Sequence, residues 1–168
     1  MAATARPSNL RRALAVALVV IAVDQATKLL VVELLDLRTR LVIPVADPWL
    51  NLTMAWNEGI NFGLFDFGAA GRWVLVGLAA AIVAALLVWV RRTRGWVPAL
   101  GTGAIVGGAL GNVIDRLRYG AVADFINMSC CGIVNPFAFN VADAAIFGGA
   151  ALLLLTGRGA PAPVRRRR

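Results

Sequence analysis

The sequence predicts a membrane all-α bundle of four transmembrane helices with a small extracytoplasmic β-rich platform between helices 1 and 2. The chain of 168 residues is 60% apolar, and its mean hydropathy is +0.76, unlike a typical soluble domain. Residues 73–90 and 95–114 contain no charged side chain. Each stretch approaches the ~20 residues that an α-helix needs to cross a bilayer.

The predicted spans are residues 12–34, 72–91, 95–116 and 139–157, within a single integral membrane domain 1–168. The first apolar stretch is interrupted by the polar sequence 24–28, which we interpret as a polar patch inside one helix. A cleavable signal peptide is the alternative, because two arginines precede the apolar run. The small-x-small cleavage pattern does not follow that run, so we expect the segment to be retained.

The net charge of +8 indicates orientation rather than nucleic-acid binding. Eleven of the 17 basic residues lie near the N-terminus, in the loop between spans two and three, or in the C-terminal tail 158–168, and none of the nine acidic residues lies there. The positive-inside rule places such segments in the cytoplasm. We therefore predict that both termini are cytoplasmic and that segment 35–71 and loop 117–138 are extracytoplasmic.

The first outer segment contains a predicted strand. Leu50, Leu52, Met54 and Trp56 alternate with more polar neighbours, which is typical of a strand with one apolar face. Downstream, an apolar cluster is suited to dip into the membrane interface; it contains Phe62, Leu64, Phe65 and Phe67. The strand either seals the bundle or forms a platform that holds a substrate, and the pattern favours neither.

Polar residues accumulate where the spans meet the outer side. In the third span, glycines recur every four residues at Gly103, Gly107 and Gly111, which allows close helix packing. This stripe ends in a polar group of Asn112, Asp115 and Arg116. In the first span, Asp24 and Lys28 are four residues apart and can pair with each other or with a shared partner, for which we favour a structural role.

Asp124 and Asp143 lie in apolar surroundings near the outer boundary, where ionised carboxylates need a functional reason. Two aspartates close together share one proton and can supply an acid and a base to a water molecule. An aspartyl protease, a proton- or ion-coupled transporter and a lipid-binding protein are all compatible with this pattern. The chain has no histidine, which excludes Ser-His and Cys-His nucleophile systems and disfavours a zinc peptidase.

Other motifs point to no cofactor. Cys130 and Cys131 are adjacent and lack the spacing of metal or redox motifs. We interpret them as small loop residues, and a vicinal disulfide or a regulatory thiol pair is the alternative. No glycine-rich phosphate loop follows a predicted strand. We therefore expect no cofactor and no metal.

Four ordered motifs bear a close family resemblance. They are residues 23–28 (VDQATK), 57–63 (NEGINFG), 111–125 (GNVIDRLRYGAVADF) and 139–143 (FNVAD). Together they resemble lipoprotein signal peptidase, also called signal peptidase II. Two features depart from the family pattern, namely Asn61 and the stretch 129–134, and they affect only the pocket rim and the outer loop.

The resemblance implies a membrane aspartyl endopeptidase in the bacterial cytoplasmic (inner) membrane. It would remove signal peptides from diacylglyceryl-modified prolipoproteins, cutting on the N-terminal side of the lipid-modified cysteine. Its partners would be this substrate and membrane lipids, with no nucleic acid, and we expect a monomer. The catalytic dyad would be Asp124 and Asp143. The substrate-binding or supporting residues would be Asn57, Gly59, Asn112, Asp115, Arg116, Asn140, Asp24 and Lys28.

Overall fold

A computed structural model describes residues 8–59 and 70–157. The predicted interfacial cluster at Phe62–Phe67, Asn61 and the basic tail 158–168 lie outside the described residues. In chain order, the helices are α1 (Asn9–Lys28), α2 (Leu37–Arg40), α3 (Gly71–Val90), α4 (Trp96–Tyr119) and α5 (Val141–Gly157). The strands are β1 (Val42–Ala46), β2 (Leu50–Asn57) and β3 (Val122–Asn127).

Within residues 8–59 and 70–157, three helices are long and apolar enough to cross a membrane. The first comprises α1 and a π-helical continuation, Leu29–Leu34, and the others are α3 and α4. Their outward side chains are large and apolar, for example Leu18 and Leu78, which are exposed. Helix α5 is apolar but has only 17 residues, fewer than the ~20 of a typical span. Three to four apolar helices are thus present, and the fourth span stays a prediction.

Helix α4 packs between α1 and α5 because small residues line two of its faces. A Cβ atom on Gly107 would lie 2.7 Å from the carbonyl oxygen of Ala17 on α1. On the other face, a Cβ atom on Gly108 would collide with the carbonyl oxygen of Ala142 on α5. Glycine at both positions therefore permits backbone-to-backbone approach. This packing brings the last turns of α4 close to polar residues of both neighbouring helices.

The three strands form one antiparallel sheet in the order β1-β2-β3. Strand β2 occupies the segment that the alternating pattern predicts, and Leu52 and Met54 pack against the buried core. The predicted platform was placed between the first two spans. Strands β1 and β2 lie in that segment, but the third strand of the sheet, β3, lies in the loop after α4. Alternation does not reveal β3, since all but one of its residues are buried.

A small core joins this sheet to the end of the first span. It consists of buried Val31 and Val32, Leu37 of α2, and Ala123 and Phe125 of β3. Burial of these side chains stabilises the attachment of the sheet through the hydrophobic effect. The strand that contains Asp124 is therefore held against the helix bundle.

Candidate active site

Asp124 lies in the middle of β3, opposite Ala55 of β2. Only 4% of the surface of this residue is exposed to solvent. The side chain nevertheless has a partner for each oxygen: Oδ1 accepts a 2.6 Å hydrogen bond from Asn140 Nδ2, and Oδ2 accepts a 3.0 Å bond from Asn57 Nδ2. Two amide donors therefore orient this carboxyl group.

Asp143 lies in the first turn of α5, and Asn140 precedes that helix. The Asn140 side-chain oxygen accepts a 2.8 Å bond from the Asp143 backbone N–H, and the Asn140 N–H donates to Asp143 Oδ2 at 3.3 Å. This reciprocal pattern is a capping box. Asn140 therefore lies just before α5 and caps its N-terminus. Asp143 is thereby held at the positive end of the helix dipole.

Two asparagines connect the aspartates. Asn140 contacts both, since its Nδ2 donates to Asp124 and its side-chain oxygen accepts from the Asp143 N–H. Asn112 of α4 donates to Asp143 Oδ1 at 2.9 Å, and its own oxygen accepts from Asn140 Nδ2 at 3.3 Å. The structure therefore brings together residues from three elements that are distant in sequence.

Burial raises the pKa of Asp124 to about 7, and the nearby negative charge of Asp143 contributes in the same direction. The hydrogen bond from Asn57 opposes this rise because it stabilises the ionised carboxylate. Two carboxyl groups in such proximity titrate as a pair. Asp124 is therefore suited to hold a proton near neutral pH.

A buried ionic cluster lies beneath the aspartate pair. Lys28 Nζ is 2.8 Å from Asp24 Oδ2 and 2.7 Å from Asp115 Oδ2. All three residues are at most 1% exposed. The predicted pairing of Asp24 with Lys28 is thus present, with Asp115 as the shared partner. A buried cation between two carboxylates compensates charges that would otherwise be costly to bury.

The two carboxylates of this cluster also hold the backbone beside each aspartate of the pair. Asp24 Oδ1 accepts a 2.9 Å bond from the N–H of Ala142, which precedes Asp143. Asp115 Oδ2 accepts a 3.1 Å bond from the N–H of Ala123, which precedes Asp124. The cluster is therefore linked to both aspartates through one adjacent residue each.

Gln25 completes the cluster and was not among the predicted site residues. Its Nε2 lies 3.1 Å from Asp24 Oδ2 and 3.1 Å from Asp115 Oδ1. The sequence signal for Gln25 was a polar amide inside an apolar span, but the neighbouring Asp24 already explained why this part of the span is polar.

Residues 8–59 and 70–157 contain no group of three His, Cys, Asp or Glu side chains arranged to hold a metal ion.

Arg116 and Gly59 form the edge of the site. Arg116 Nη1 donates to the Asn112 carbonyl at 3.3 Å, and its buried Nε has no partner in the described part of the chain. Gly59 has a φ of +104°, and a Cβ atom there would collide with Leu75 and lie 3.9 Å from Arg116 Nη2. A side chain at position 59 would therefore have to displace Leu75 and would lie against the guanidinium.

A sequence profile of the signal peptidase (SPase) II family matches residues 16–157. The chain belongs to the signal peptidase II family. The resemblance inferred from the four motifs is thus confirmed. Signal peptidase II proteins are proteases, and the apolar helices of this member agree with a multi-pass membrane protein.

Named relatives show how far the similarity to signal peptidase II extends. The chain is 44% identical to the lipoprotein signal peptidase of Methylobacterium sp. (strain 4-46) over 143 residues, 84% of this chain and 86% of the relative. It is 42% identical to the lipoprotein signal peptidase of Caulobacter vibrioides over 144 residues, 85% of this chain and 84% of the relative. Most of each chain is therefore shared.

Solved structures of bacterial membrane enzymes share the fold of this signal peptidase II member. One matches with a TM-score of 0.74 at 22% identity, covering 99% of both chains. Another matches with a TM-score of 0.73 at 24% identity, covering 89% of this chain and 94% of the other. These similarities concern the fold alone.

Proposed function

We propose that this protein is an aspartyl endopeptidase that removes signal peptides from diacylglyceryl-modified prolipoproteins, cutting on the N-terminal side of the lipid-modified cysteine. The relatives named lipoprotein signal peptidase support the substrate class. The observation that carries the chemistry is the coupling of Asp124 to Asp143 through Asn140. It provides two carboxyl groups, oriented by amides, at one site.

The proposed reaction is direct hydrolysis. One ionised carboxylate removes a proton from water, whose oxygen attacks the scissile carbonyl carbon. The protonated carboxyl group donates to the carbonyl oxygen, giving a neutral tetrahedral diol. A proton then moves to the peptide nitrogen, the C–N bond breaks, and the carboxyl group and carboxylate are regenerated. No proton is gained or lost by the pair over the cycle.

We assign the shared proton to Asp124 and the base to Asp143. Asp124 is the more deeply buried of the two, and burial disfavours a charged carboxylate. Asp143 accepts hydrogen bonds from Asn112 and from the Asn140 N–H at the start of α5. A helix N-terminus favours an anion. The partial exposure of Asp143 also gives water a route to it.

The remaining predicted residues have binding and positioning roles in this proposal. Asn57 and the Arg116 guanidinium offer donors to substrate carbonyls, and Gly59 leaves room beside Arg116. Asp24, Lys28 and Asp115 act as positioning residues, because their cluster holds the backbone next to each aspartate. Substrate contact at Arg116 is supported by its buried Nε, which has no partner among the described residues.

The proposed enzyme works as a monomer in the bacterial inner membrane, with both termini cytoplasmic and the active site toward the extracytoplasmic face. The basic N-terminal segment and the basic α3–α4 loop support this orientation. Water reaches a site at that face without crossing hydrocarbon. The acyl chains of the substrate would remain in the bilayer while its peptide enters the site.

The proposal predicts that Asp124→Asn and Asp143→Asn each reduce turnover of a diacylglyceryl-modified precursor by about a thousandfold, because each removes one half of the acid–base pair. Purified proteins are compared in detergent, with thermal unfolding to verify folding. Asp47→Asn, at an exposed aspartate of the outer segment, is the matched control and keeps wild-type turnover. Substantial turnover in either dyad variant would contradict the assignment.

A further inference from the structure

Two cavities adjoin at the end of the bundle opposite the aspartates. Both are lined by the loop between α3 and α4 and by the first residue of α4. The shared lining residues are Thr93, Arg94, Gly95 and Trp96. One cavity has a volume of 890 Å³ and the other 640 Å³. These four shared residues make the two cavities immediate neighbours.

The larger cavity is apolar and lies between the ends of α3, α4 and α5. Its lining includes Leu86, Trp89, Val97, Pro98, Leu153 and Leu154. Leu154 is 72% exposed, so the cavity opens on the lipid-facing side of the helices. An apolar cavity open toward the bilayer is suited to a hydrocarbon chain.

The smaller cavity is polar and basic. It is lined by Arg12 and Arg94 together with Ser8 and Asn9. The Arg12 guanidinium stacks over Trp96 at 4.5 Å and donates from Nη1 to Asn9. Its buried Nε has no hydrogen-bond partner in the described part of the chain. The cavity therefore combines two cationic groups with the Ser8 hydroxyl and with the Asn9 amide, which pairs with Arg12 and Thr93.

In the described part of the chain, no carboxylate pairs with these arginines. Among the described residues, segments 8–23, 70–114 and 144–157 contain no aspartate or glutamate, and the residues that line the two cavities all belong to these segments. The charge of the cavity therefore complements an anion. An anion with an attached hydrocarbon chain matches the polar cavity and its apolar neighbour together, which a free phosphate does not.

We propose that the two cavities bind one anionic glycerophospholipid from the leaflet at this end of the bundle, the cytoplasmic leaflet in the orientation given above. Arg12 and Arg94 bind the phosphate, Ser8 and Asn9 contact the headgroup, and an acyl chain lies in the apolar cavity. Basic sites between helices at a membrane surface commonly recognise anionic headgroups. This site is separate from the aspartate pair and does not depend on peptide hydrolysis.

The test is lipid binding to the full-length protein in detergent, measured by native mass spectrometry. The probes are phosphatidylglycerol, phosphatidylcholine with the same acyl chains, and glycerol 3-phosphate. We expect phosphatidylglycerol to bind most tightly and the double variant Arg12→Ala/Arg94→Ala to weaken that binding by roughly thirtyfold. The matched control Arg11→Ala/Arg91→Ala removes the same charge at the same end from residues that do not line the cavities, and it binds as wild type.

Three outcomes would overturn the proposal. Equal loss in the control variant would mean that net charge alone attracts the lipid. Equal binding of phosphatidylcholine, whose phosphate charge is balanced by its choline cation, would exclude selectivity for a net anionic headgroup. Equal binding of glycerol 3-phosphate would exclude a role for the apolar cavity. Thermal unfolding without added lipid verifies that both double variants are folded, so that lost binding is not caused by lost structure.

Discussion

At the residue scale, Asn140 has an unusual number of functions for one side chain. It begins α5 as a cap, donates to Asp124, and is connected to Asn112. It is fully buried, and a buried amide needs partners for both its donor and its acceptor. Because all of these partners belong to the site, the amide that starts the helix also sets the relative position of the two aspartates.

The pKa of Asp124 leads to a prediction for pH dependence. Below about pH 7 Asp124 retains its proton, and above it Asp124 becomes ionised, so kcat/KM falls as pH rises through this region. Asn57→Ala removes a hydrogen bond that lowers the pKa of Asp124. We therefore expect the alkaline decline to move to higher pH, as measured by kcat/KM profiles from about pH 5 to about 9.

The control for this prediction is Asn51→Ala, which makes the same chemical change in the same strand. Asn51 donates to Asp47 and does not contact the aspartate pair. Its profile should match that of the wild type, whatever its overall rate. An Asn57→Ala profile whose alkaline midpoint is unchanged, or lower in pH, would argue against proton retention by Asp124.

At the element scale, the buried cluster of Asp24, Lys28 and Asp115 connects α1 and α4 to the two elements that contain the aspartate pair. Asp24 reaches the start of α5, where its negative charge is favoured by the helix dipole. Asp115 reaches β3 through the N–H of Ala123. The relative positions of α5 and β3 thus depend on this one buried ionic cluster.

Removal of the cation from this cluster should destabilise the fold. Lys28→Met leaves Asp24 and Asp115 buried without compensation, which costs on the order of 3 kcal/mol. We expect a clearly lower thermal unfolding midpoint in detergent. Arg91→Met, at an exposed position at a helix end, is the control and should unfold near the wild-type temperature.

A second substitution distinguishes charge from packing. Adding Asp115→Asn to Lys28→Met removes one of the uncompensated charges, while the amide oxygen can still accept from Ala123. This double variant should recover part of the lost stability. No recovery, or a wild-type midpoint for Lys28→Met alone, would mean that the ion pairs do not stabilise the bundle as inferred.

At the scale of the whole molecule, polar function is separated between the two ends of an apolar bundle. The aspartate pair, its asparagines and the sheet occupy one end, and the basic cavity at Arg12 and Arg94 occupies the other. Between them, α4 contacts α1 and α5 through glycines. With the proposed functions, this separation would place peptide hydrolysis and the lipid site at opposite membrane surfaces.

Native cysteines allow the orientation to be tested. Cys130 and Cys131 are the only cysteines, and both are exposed and free in the loop after β3. In the predicted orientation, a membrane-impermeant maleimide should label both cysteines in intact spheroplasts after a reductant has converted them to free thiols. The same reagent should label Arg91→Cys, in a chain with Cys130→Ser and Cys131→Ser, only after the membrane is disrupted. The reverse labelling pattern would show that the topology is opposite to the predicted one.

The sequence predicted individual residues and local elements better than it predicted the contacts between distant residues. The charge-free runs and the alternation from Leu50 to Trp56 reflect local burial, so they predict helices and β2 directly. Strand β3 is buried on both sides and shows no alternation. Gln25 was obscured by the neighbouring Asp24, and the cap of Asp24 on α5 joins residues 118 positions apart, a separation that no local pattern encodes.

The sequence by itself determined the membrane class, the apolar helices and the family, because hydropathy and ordered motifs are properties of the linear chain. It also indicated Asp124 and Asp143 as a pair. Only the tertiary structure decided how they meet: β3 joins the sheet, Asn140 begins α5, and the Lys28 cluster holds the backbone beside each aspartate. Such contacts depend on packing of distant segments around buried charges, which must be compensated in three dimensions.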